Sequence, residues 1–158
     1  MKKSLIFILA GMLFLAACGT PMSDAVEAKD AWARTGLKDG NSAAYMMLAN
    51  GTAEDVELIG ASSDVATAVE VHLSSMGADG VMKMEQQDAV LIPSKKMLEL
   101  KPGSYHIMLI GLKQDLNIDD TITVTLHFNG YEDVTLTIPV KDAANMGGSG
   151  MDGHNSMP

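Results

Sequence analysis

The chain has 158 residues and a net charge of −9, which becomes −11 once Lys2 and Lys3 are removed with the leader described below. This length fits one ordinary domain, and so strong a negative charge argues against nucleic-acid binding, which needs clustered Lys and Arg. Hydrophobic residues make up 47% of the sequence, enough for a packed core, so wholesale disorder is excluded. The single cysteine excludes an internal disulfide framework, a Cys-rich zinc site and a CxxC redox pair.

Residues 1–17 have the pattern of a bacterial lipoprotein signal peptide. Lys2 and Lys3 precede an uncharged apolar run from Leu5 to Ala17, which has the length of a signal-peptide core and is short for a bilayer span. The run ends in Ala16-Ala17-Cys18-Gly19, which resembles a lipobox, although an ordinary secretory signal with a buried cysteine nearby is the alternative. We expect Cys18 to be lipidated and the protein to be held in the cell envelope by this anchor alone, facing the periplasm or the outside of the cytoplasmic membrane.

Residues 18–28 are small and polar and are interpreted as a tether to one globular domain over residues 29–142. Alternation of apolar and polar residues is clearest in Thr121–Phe128 and Asp133–Val140. Turn signals such as Asn129-Gly130 separate the candidate strands. The other candidates are Ala44–Ala49, Val56–Ala61, Ala68–Leu73, Val81–Gln86, Val90–Ile92, Met97–Leu100 and Tyr105–Ile110. Many short strands at this spacing predict an all-β fold, a single-domain β-sandwich with Greek-key connections.

Residues 143–158 change in composition, with four glycines and no strand pattern, and are predicted to be a flexible tail. Four soft metal donors fall within twelve residues of this tail: Met146, Met151, His154 and Met157. That density is unusual for a linker, although plain disorder is the alternative interpretation.

Histidine and methionine residues in the domain recur at positions that favour metal binding. His106 and Met108 are two apart on a predicted strand, so both side chains leave the same face. His72 lies on the polar face of another strand, and Met82 and Met84 share a face of a third. Reduced copper is a soft ion that favours imidazole and thioether donors, and a thioether binds without losing a proton. These residues are therefore candidate donors for Cu(I).

The remaining candidates have simpler interpretations. His127 alternates with threonines on a polar face and is interpreted as an ordinary surface residue. Met76 and Met82 are left open, because they could line the site without bonding to the metal. The thioethers of Met46, Met47 and Met97 are expected to fill the core, and core or rim packing is expected of Trp32, Tyr45 and Tyr105.

The donor spacing resembles that of the periplasmic copper chaperones called PCu(A)C, whose pattern is His, an optional Met, ten residues, Met, twenty-one residues and His-x-Met. Here His72 is followed by Leu73 at the optional position, ten residues, Met84, twenty-one residues and His106-Ile107-Met108. The resemblance covers Ala31 to Val140. Its surrounding segments are Asp30-Ala31-Trp32-Ala33-Arg34, Ala44-Tyr45-Met46, Val69-Glu70-Val71-His72 and Leu100-Lys101-Pro102-Gly103-Ser104-Tyr105.

The resemblance implies a cupredoxin-like sandwich that binds one Cu(I) through His72, Met84, His106 and Met108. It also implies delivery of copper to a partner such as the Cu(A) centre of cytochrome c oxidase or a Sco-type thiol protein. Some members of that family have a Met/His-rich C-terminal extension that takes part in copper binding. The tail donors Met146, Met151, His154 and Met157 are similar in kind, and a second copper ion there is left open.

Three other classes of function were weighed. Blue-copper electron transfer needs a cysteine thiolate with two histidines, and the only cysteine, Cys18, is assigned to the anchor. An enzyme is not expected, because the sequence has no GxSxG, no HExxH and no evident Ser/His/Asp grouping. A metal-free β-sandwich envelope lipoprotein, acting as a protein-interaction module, is the alternative to the copper chaperone.

Overall fold

A computed structural model describes residues 23–78 and 80–142, so the predicted signal peptide, Cys18 and the tail donors lie outside the described residues. The described residues form ten β-strands and contain no helix, hence no helical segment long and apolar enough to cross a membrane. The strands are β1 (Val26–Arg34), β2 (Ser42–Asn50), β3 (Val56–Ser62), β4 (Ala66–Met76), β5 (Met82–Gln86), β6 (Val90–Ile92), β7 (Met97–Leu100), β8 (Tyr105–Leu112), β9 (Thr121–Asn129) and β10 (Val134–Lys141).

The strands form two layers around one core. One layer has the order β5-β4-β8-β2-β1, with β7 also paired to β2, and the other has the order β10-β9-β3-β6. A short parallel pairing of β1 with β10 joins them. Their inner faces share a single apolar cluster that includes Leu48, Leu58, Ile92, Ile107, Leu126 and Ile138. The predicted all-β sandwich is confirmed.

Strand β1 is the one element among the ten that the sequence analysis did not predict. It begins at Val26, which pairs with Asn50 and is 5% exposed. The ordered sandwich therefore starts three residues inside the segment interpreted as a tether. The alternation of β1 is interrupted by a β-bulge between Lys29 and Trp32, where Asp30 has a φ of 52°. An interrupted alternation does not look like a strand.

The bulge also decides which way the end of β1 faces. Val26 lies in the core before the bulge, but after it the core residue is Ala33, and Trp32 turns to the outer face. There Trp32 packs on Tyr45 of β2, with ring centroids 4.7 Å apart. This small outer cluster lies beside the predicted metal site.

Methionines predicted to pack in the core divide between the two faces. Met46 is buried in the core, as predicted, and Met47 is partly buried. Met97 is 63% exposed, so its assignment to the core was wrong. Its neighbours Leu98 and Leu100 on β7 supply the buried side chains, because strand residues alternate between faces.

Candidate metal centre

Two imidazoles stand side by side on the outer face of the first layer. His72 on β4 and His106 on β8 are directly opposed partners in the antiparallel ladder, and their ring centroids are 5.9 Å apart. Val71 before His72 and Ile107 after His106 are buried in the core, so alternation along each strand turns both imidazoles away from the core. The structure thus brings together two residues that are 34 positions apart in the sequence.

Both predicted thioether ligands share this face. Met108 follows His106 by two residues on β8, and its ladder partner is Glu70, two residues before His72 on β4. Met84 on β5 is paired with Ser74, two residues after His72. The four predicted ligands therefore come from three adjacent strands of one surface, with Met84 and Met108 displaced by two residues to opposite sides of the paired histidines.

A cavity of about 370 Å³ opens on this surface. Three of the four predicted ligands line it, whereas His72, the ladder partner of His106, is not among the lining residues. The lining residues are Arg34, Asn41, Ser42, Ala43, Tyr45, Ser74, Met82, Met84, Pro102, Gly103, His106 and Met108. The cavity is large enough for a metal ion.

The turn before β8 fixes the orientation of His106, which is only 5% exposed. Its Nδ1 lies 3.0 Å from the carbonyl oxygen of Ser104, which also accepts a bond from the backbone N–H of Ser74 at 3.1 Å. Gly103, with a φ of 77°, gives this turn the left-handed conformation it needs. Because a carbonyl only accepts, Nδ1 carries the proton and the lone pair of a neutral ring lies on Nε2.

His72 is held in a different way. Its Nε2 lies 2.7 Å from Oε2 of Glu70, and both side chains are largely shielded from solvent. Its Nδ1 is fully buried and has no hydrogen-bond partner within the described part of the chain. An unsatisfied buried nitrogen costs on the order of 1–3 kcal/mol, which makes this atom a candidate metal donor. The sequence analysis did not single out Glu70, although its position two residues before His72 placed it on the same face.

One cation and one phenol complete the lining. Burial raises the pKa of Tyr45 above its ordinary value of 10.0, and the nearby Arg34 offsets this only in part. The phenol therefore stays protonated at neutral pH. Arg34 is exposed at the end of β1, beside Lys141 at the end of β10.

Exposed thioethers surround the cavity mouth. Met84 is 58% exposed and Met82 is 49% exposed, and both line the cavity. Met76, which pairs with Met82 across the β4–β5 hairpin, is 65% exposed and does not line the cavity. Of the two methionines left open, Met82 therefore belongs to the site wall and Met76 to the surface beside it.

His127 lies on the other layer, far from this grouping in the strand order. Its Nδ1 is 2.7 Å from Oδ2 of Asp133, and its Nε2 is 2.9 Å from Oγ of Ser62. The expectation that no Ser/His/Asp grouping exists was therefore wrong, because its members come from separate segments. None of the three lines the cavity beside His106 or a shallower one at Leu37 and Ile118. We interpret the grouping as a bridge from β3 to the β9–β10 turn.

The chain is similar to lipoproteins over the whole sandwich. A family model described as "Putative lipoprotein LpqE-like" matches residues 26–140. "Putative lipoprotein Lxx21020" of Leifsonia xyli subsp. xyli is 31% identical over 129 residues, covering 80% of this chain and 77% of that protein. "Uncharacterized protein RP573" of Rickettsia prowazekii is 36% identical over 114 residues, covering 69% of this chain and 62% of that protein.

Solved structures share its fold. The copper-bound PCuAC domain from PmoF2 superposes with a TM-score of 0.62 at 22% identity, covering 74% of this chain and 92% of that domain. The solution structure of CuI-DR1885 from Deinococcus radiodurans has a TM-score of 0.57 at 26% identity, covering 77% of this chain and 83% of that protein. These neighbours confirm the resemblance to PCu(A)C proteins and the cupredoxin-like sandwich that it implies.

Proposed function

The chain belongs to the LpqE-like family, and from that premise we propose that it is an extracytoplasmic copper chaperone that binds one Cu(I) through His72, Met84, His106 and Met108. The observation that carries the proposal is the meeting of these donors: three line one cavity, and the ring of the fourth lies 5.9 Å from that of His106. The copper-bound state of the PmoF2 domain and of CuI-DR1885, which have the same fold, supports copper as the cargo.

The donor set suits Cu(I) and its release. Two imidazoles and two thioethers are neutral, soft ligands that bind reduced copper in preference to hard divalent cations. Met84 is 58% exposed, so a ligand from a partner can approach the metal from its side while the buried His106 still holds the ion. The proposed activity is therefore binding and stepwise ligand exchange, with no covalent bond made or broken in a substrate.

The proposed location and recipient follow from the anchor and the cargo. A lipid on Cys18 would hold the domain at the membrane surface outside the cytoplasm, where copper-containing oxidases are assembled. We propose that the copper passes to a copper-accepting protein such as the Cu(A)-bearing subunit of cytochrome c oxidase or a Sco-type protein. Soft donors on the recipient are required, because Cu(I) leaves thioethers readily only for ligands of similar or greater softness.

The tail is proposed to supply auxiliary donors. Strand β10 ends at Lys141, whose ladder partner Arg34 lines the cavity, so the chain leaves the sandwich beside the site. Five residues further on begins the set Met146, Met151, His154 and Met157. Comparing copper stoichiometry in the full chain and in a chain ending at Asp142 tests this proposal, and equal stoichiometry and affinity would contradict it.

The function itself is tested on the mature chain carrying Cys18→Ser, which cannot be lipidated. Titration against a Cu(I)-specific chelator should give one tightly bound Cu(I), and X-ray absorption should give two nitrogen and two sulfur scatterers. A protein that is purified without copper from copper-replete cells, and that does not compete with the chelator, would favour the metal-free interaction module instead.

A further inference from the structure

The two imidazoles of the candidate site are each held by a hydrogen bond, but through different ring nitrogens. His106 lines the cavity and has its Nδ1 at the carbonyl oxygen of Ser104, whereas His72 has its Nε2 at Glu70 and its Nδ1 without a partner among the residues that the structure describes. Both anchoring atoms, a carbonyl and a carboxylate oxygen, accept hydrogen bonds and do not donate them. The proton of each neutral ring is thereby assigned to a different position.

We propose that Glu70 is a positioning residue, which holds His72 in the Nε2–H tautomer so that Nδ1 is its metal donor, while His106 binds through Nε2. This rests on the proposed Cu(I) site. Histidines that bind metals generally donate their second ring N–H to a carboxylate or carbonyl, which fixes the tautomer and makes the ligand more basic. In this chain Glu70 is the carboxylate and Ser104 supplies the carbonyl.

The surroundings of Glu70 support a positioning role. It pairs across the ladder with Met108 and contacts His72 two residues along its own strand, so it neighbours both a proposed thioether ligand and a proposed imidazole ligand. The side chain is 30% exposed and that of His72 is 15% exposed, which limits competition from water for the bond between them. Glu70 is assigned to His72, because its Oε2 lies 2.7 Å from the Nε2 of that ring.

The pair formed by Asp133 and His127 provides a matched control. Its nitrogen–oxygen distance of 2.7 Å equals that in the pair formed by Glu70 and His72, but it lies on the other layer, away from the proposed copper ligands. Asp133→Ala removes a carboxylate from a histidine without touching the proposed copper ligands. Any effect that is specific to the site must therefore appear in Glu70→Ala and be absent from Asp133→Ala.

The experiment combines imidazole ¹⁵N spectra of the metal-free mature Cys18→Ser chain with Cu(I)-chelator competition. In the parent chain we expect His72 as the Nε2–H tautomer, with Cu(I) changing the Nδ1 resonance of His72 and the Nε2 resonance of His106. Glu70→Ala should erase the tautomer preference of His72 and weaken Cu(I) binding by about 10–100-fold. Glu70→Gln should retain both in large part, because its amide oxygen still accepts the bond. Asp133→Ala should alter His127 alone.

Three results would overturn this role. One is a parent chain with His72 as the Nδ1–H tautomer, and another is a Glu70→Ala chain that keeps folded-state dispersion and binds Cu(I) within twofold of the parent. The third is an equal loss of affinity in Glu70→Gln and Glu70→Ala despite a retained tautomer in Glu70→Gln. A parent chain that binds no Cu(I) would overturn the proposed function itself and the positioning role with it, which the competition assay reports separately from the tautomer.

Discussion

His72 and His127 both lie on outer faces of the sandwich, and each has a carboxylate oxygen 2.7 Å from a ring nitrogen. They differ in what the second nitrogen meets. In His127 it reaches the hydroxyl of Ser62, so the ring is satisfied on both sides. In His72 it is buried with no partner in the described ranges of the chain, and a second imidazole stands 5.9 Å away. A histidine with both nitrogens satisfied stabilises the fold, whereas one with a spare nitrogen among soft donors is suited to bind a metal.

The strongest test of this comparison removes one imidazole at a time from each layer. His106→Ala or His72→Ala should weaken Cu(I) binding by more than the ~10–100-fold expected for loss of an outer partner, because a metal–nitrogen bond itself is lost. His127→Ala should leave the affinity unchanged. Chelator competition measures all three, with circular dichroism to show that each variant is folded. Equal affinities in the His106→Ala and His127→Ala chains would refute the assignment of the site.

Copper loading should stabilise the fold only when the first layer is intact. A ligand that binds the folded state alone stabilises it by about 2.7 kcal/mol at a free concentration 100-fold above its Kd. Thermal melts with buffered Cu(I) should show this increase in the parent chain and in His127→Ala, but not in His106→Ala. An increase of the same size in His106→Ala would mean that copper binds somewhere else.

Two exposed methionines extend the comparison from imidazoles to thioethers. Met84 and Met97 are exposed to a similar degree, 58% and 63%, but only Met84 lines the cavity. Met84→Leu should weaken Cu(I) binding by about tenfold, equivalent to about 1.4 kcal/mol for one soft ligand exchanged for a hydrocarbon. Met97→Leu should leave the Cu(I) affinity unchanged, because Met97 does not line the cavity. Its thioether would matter only if exposed methionines acted as general copper scavengers. Competition titrations distinguish the two outcomes, and equal losses would argue for scavenging.

The smallest effect is expected at the bridge on the second layer. Ser62→Ala removes the hydroxyl that meets Nε2 of His127, and it should lower the free energy of unfolding by about 0.5–1.5 kcal/mol, the usual net value of one hydrogen bond. Urea denaturation measures this change, and Cu(I) affinity should stay at the parent value. A changed affinity would show that the two layers are coupled and would undo the contrast between the two histidines.

Period-two alternation made most of the fold predictable. It located β2 to β10 and put His106 with Met108 and Met82 with Met84 on common faces, because strand parity follows directly from residue number. The alternation did not predict β1, because the bulge at Asp30 changes which residues of the strand face the core. Parity also says nothing about which strands become neighbours, which is why the partners of His127 from β3 and the β9–β10 turn were missed.

The candidate site was likewise predictable only in part: residue spacing identifies the candidate ligands, whereas their hydrogen-bond partners are visible only in the structure. The donor spacing and its resemblance to PCu(A)C proteins identified four candidate ligands before any geometry was known. Which nitrogen of each ring is tied depends on a carboxylate and on a turn carbonyl, and neither atom has a sequence signal of its own. The presence of Arg34 in the cavity wall likewise depends on how β1 ends, beyond the bulge.

Because Asp30 adopts a left-handed conformation at the bulge, the number of residues in β1 decides which face its last side chains present. Deleting one residue at this point would restore a regular strand and turn its last four residues over. The indole of Trp32 would then be driven toward a space now filled by alanine, and the guanidinium of Arg34 would leave the cavity wall. In-frame gene variants that gain or lose a single codon here should therefore be removed by selection, even when the leader and every proposed ligand are unchanged.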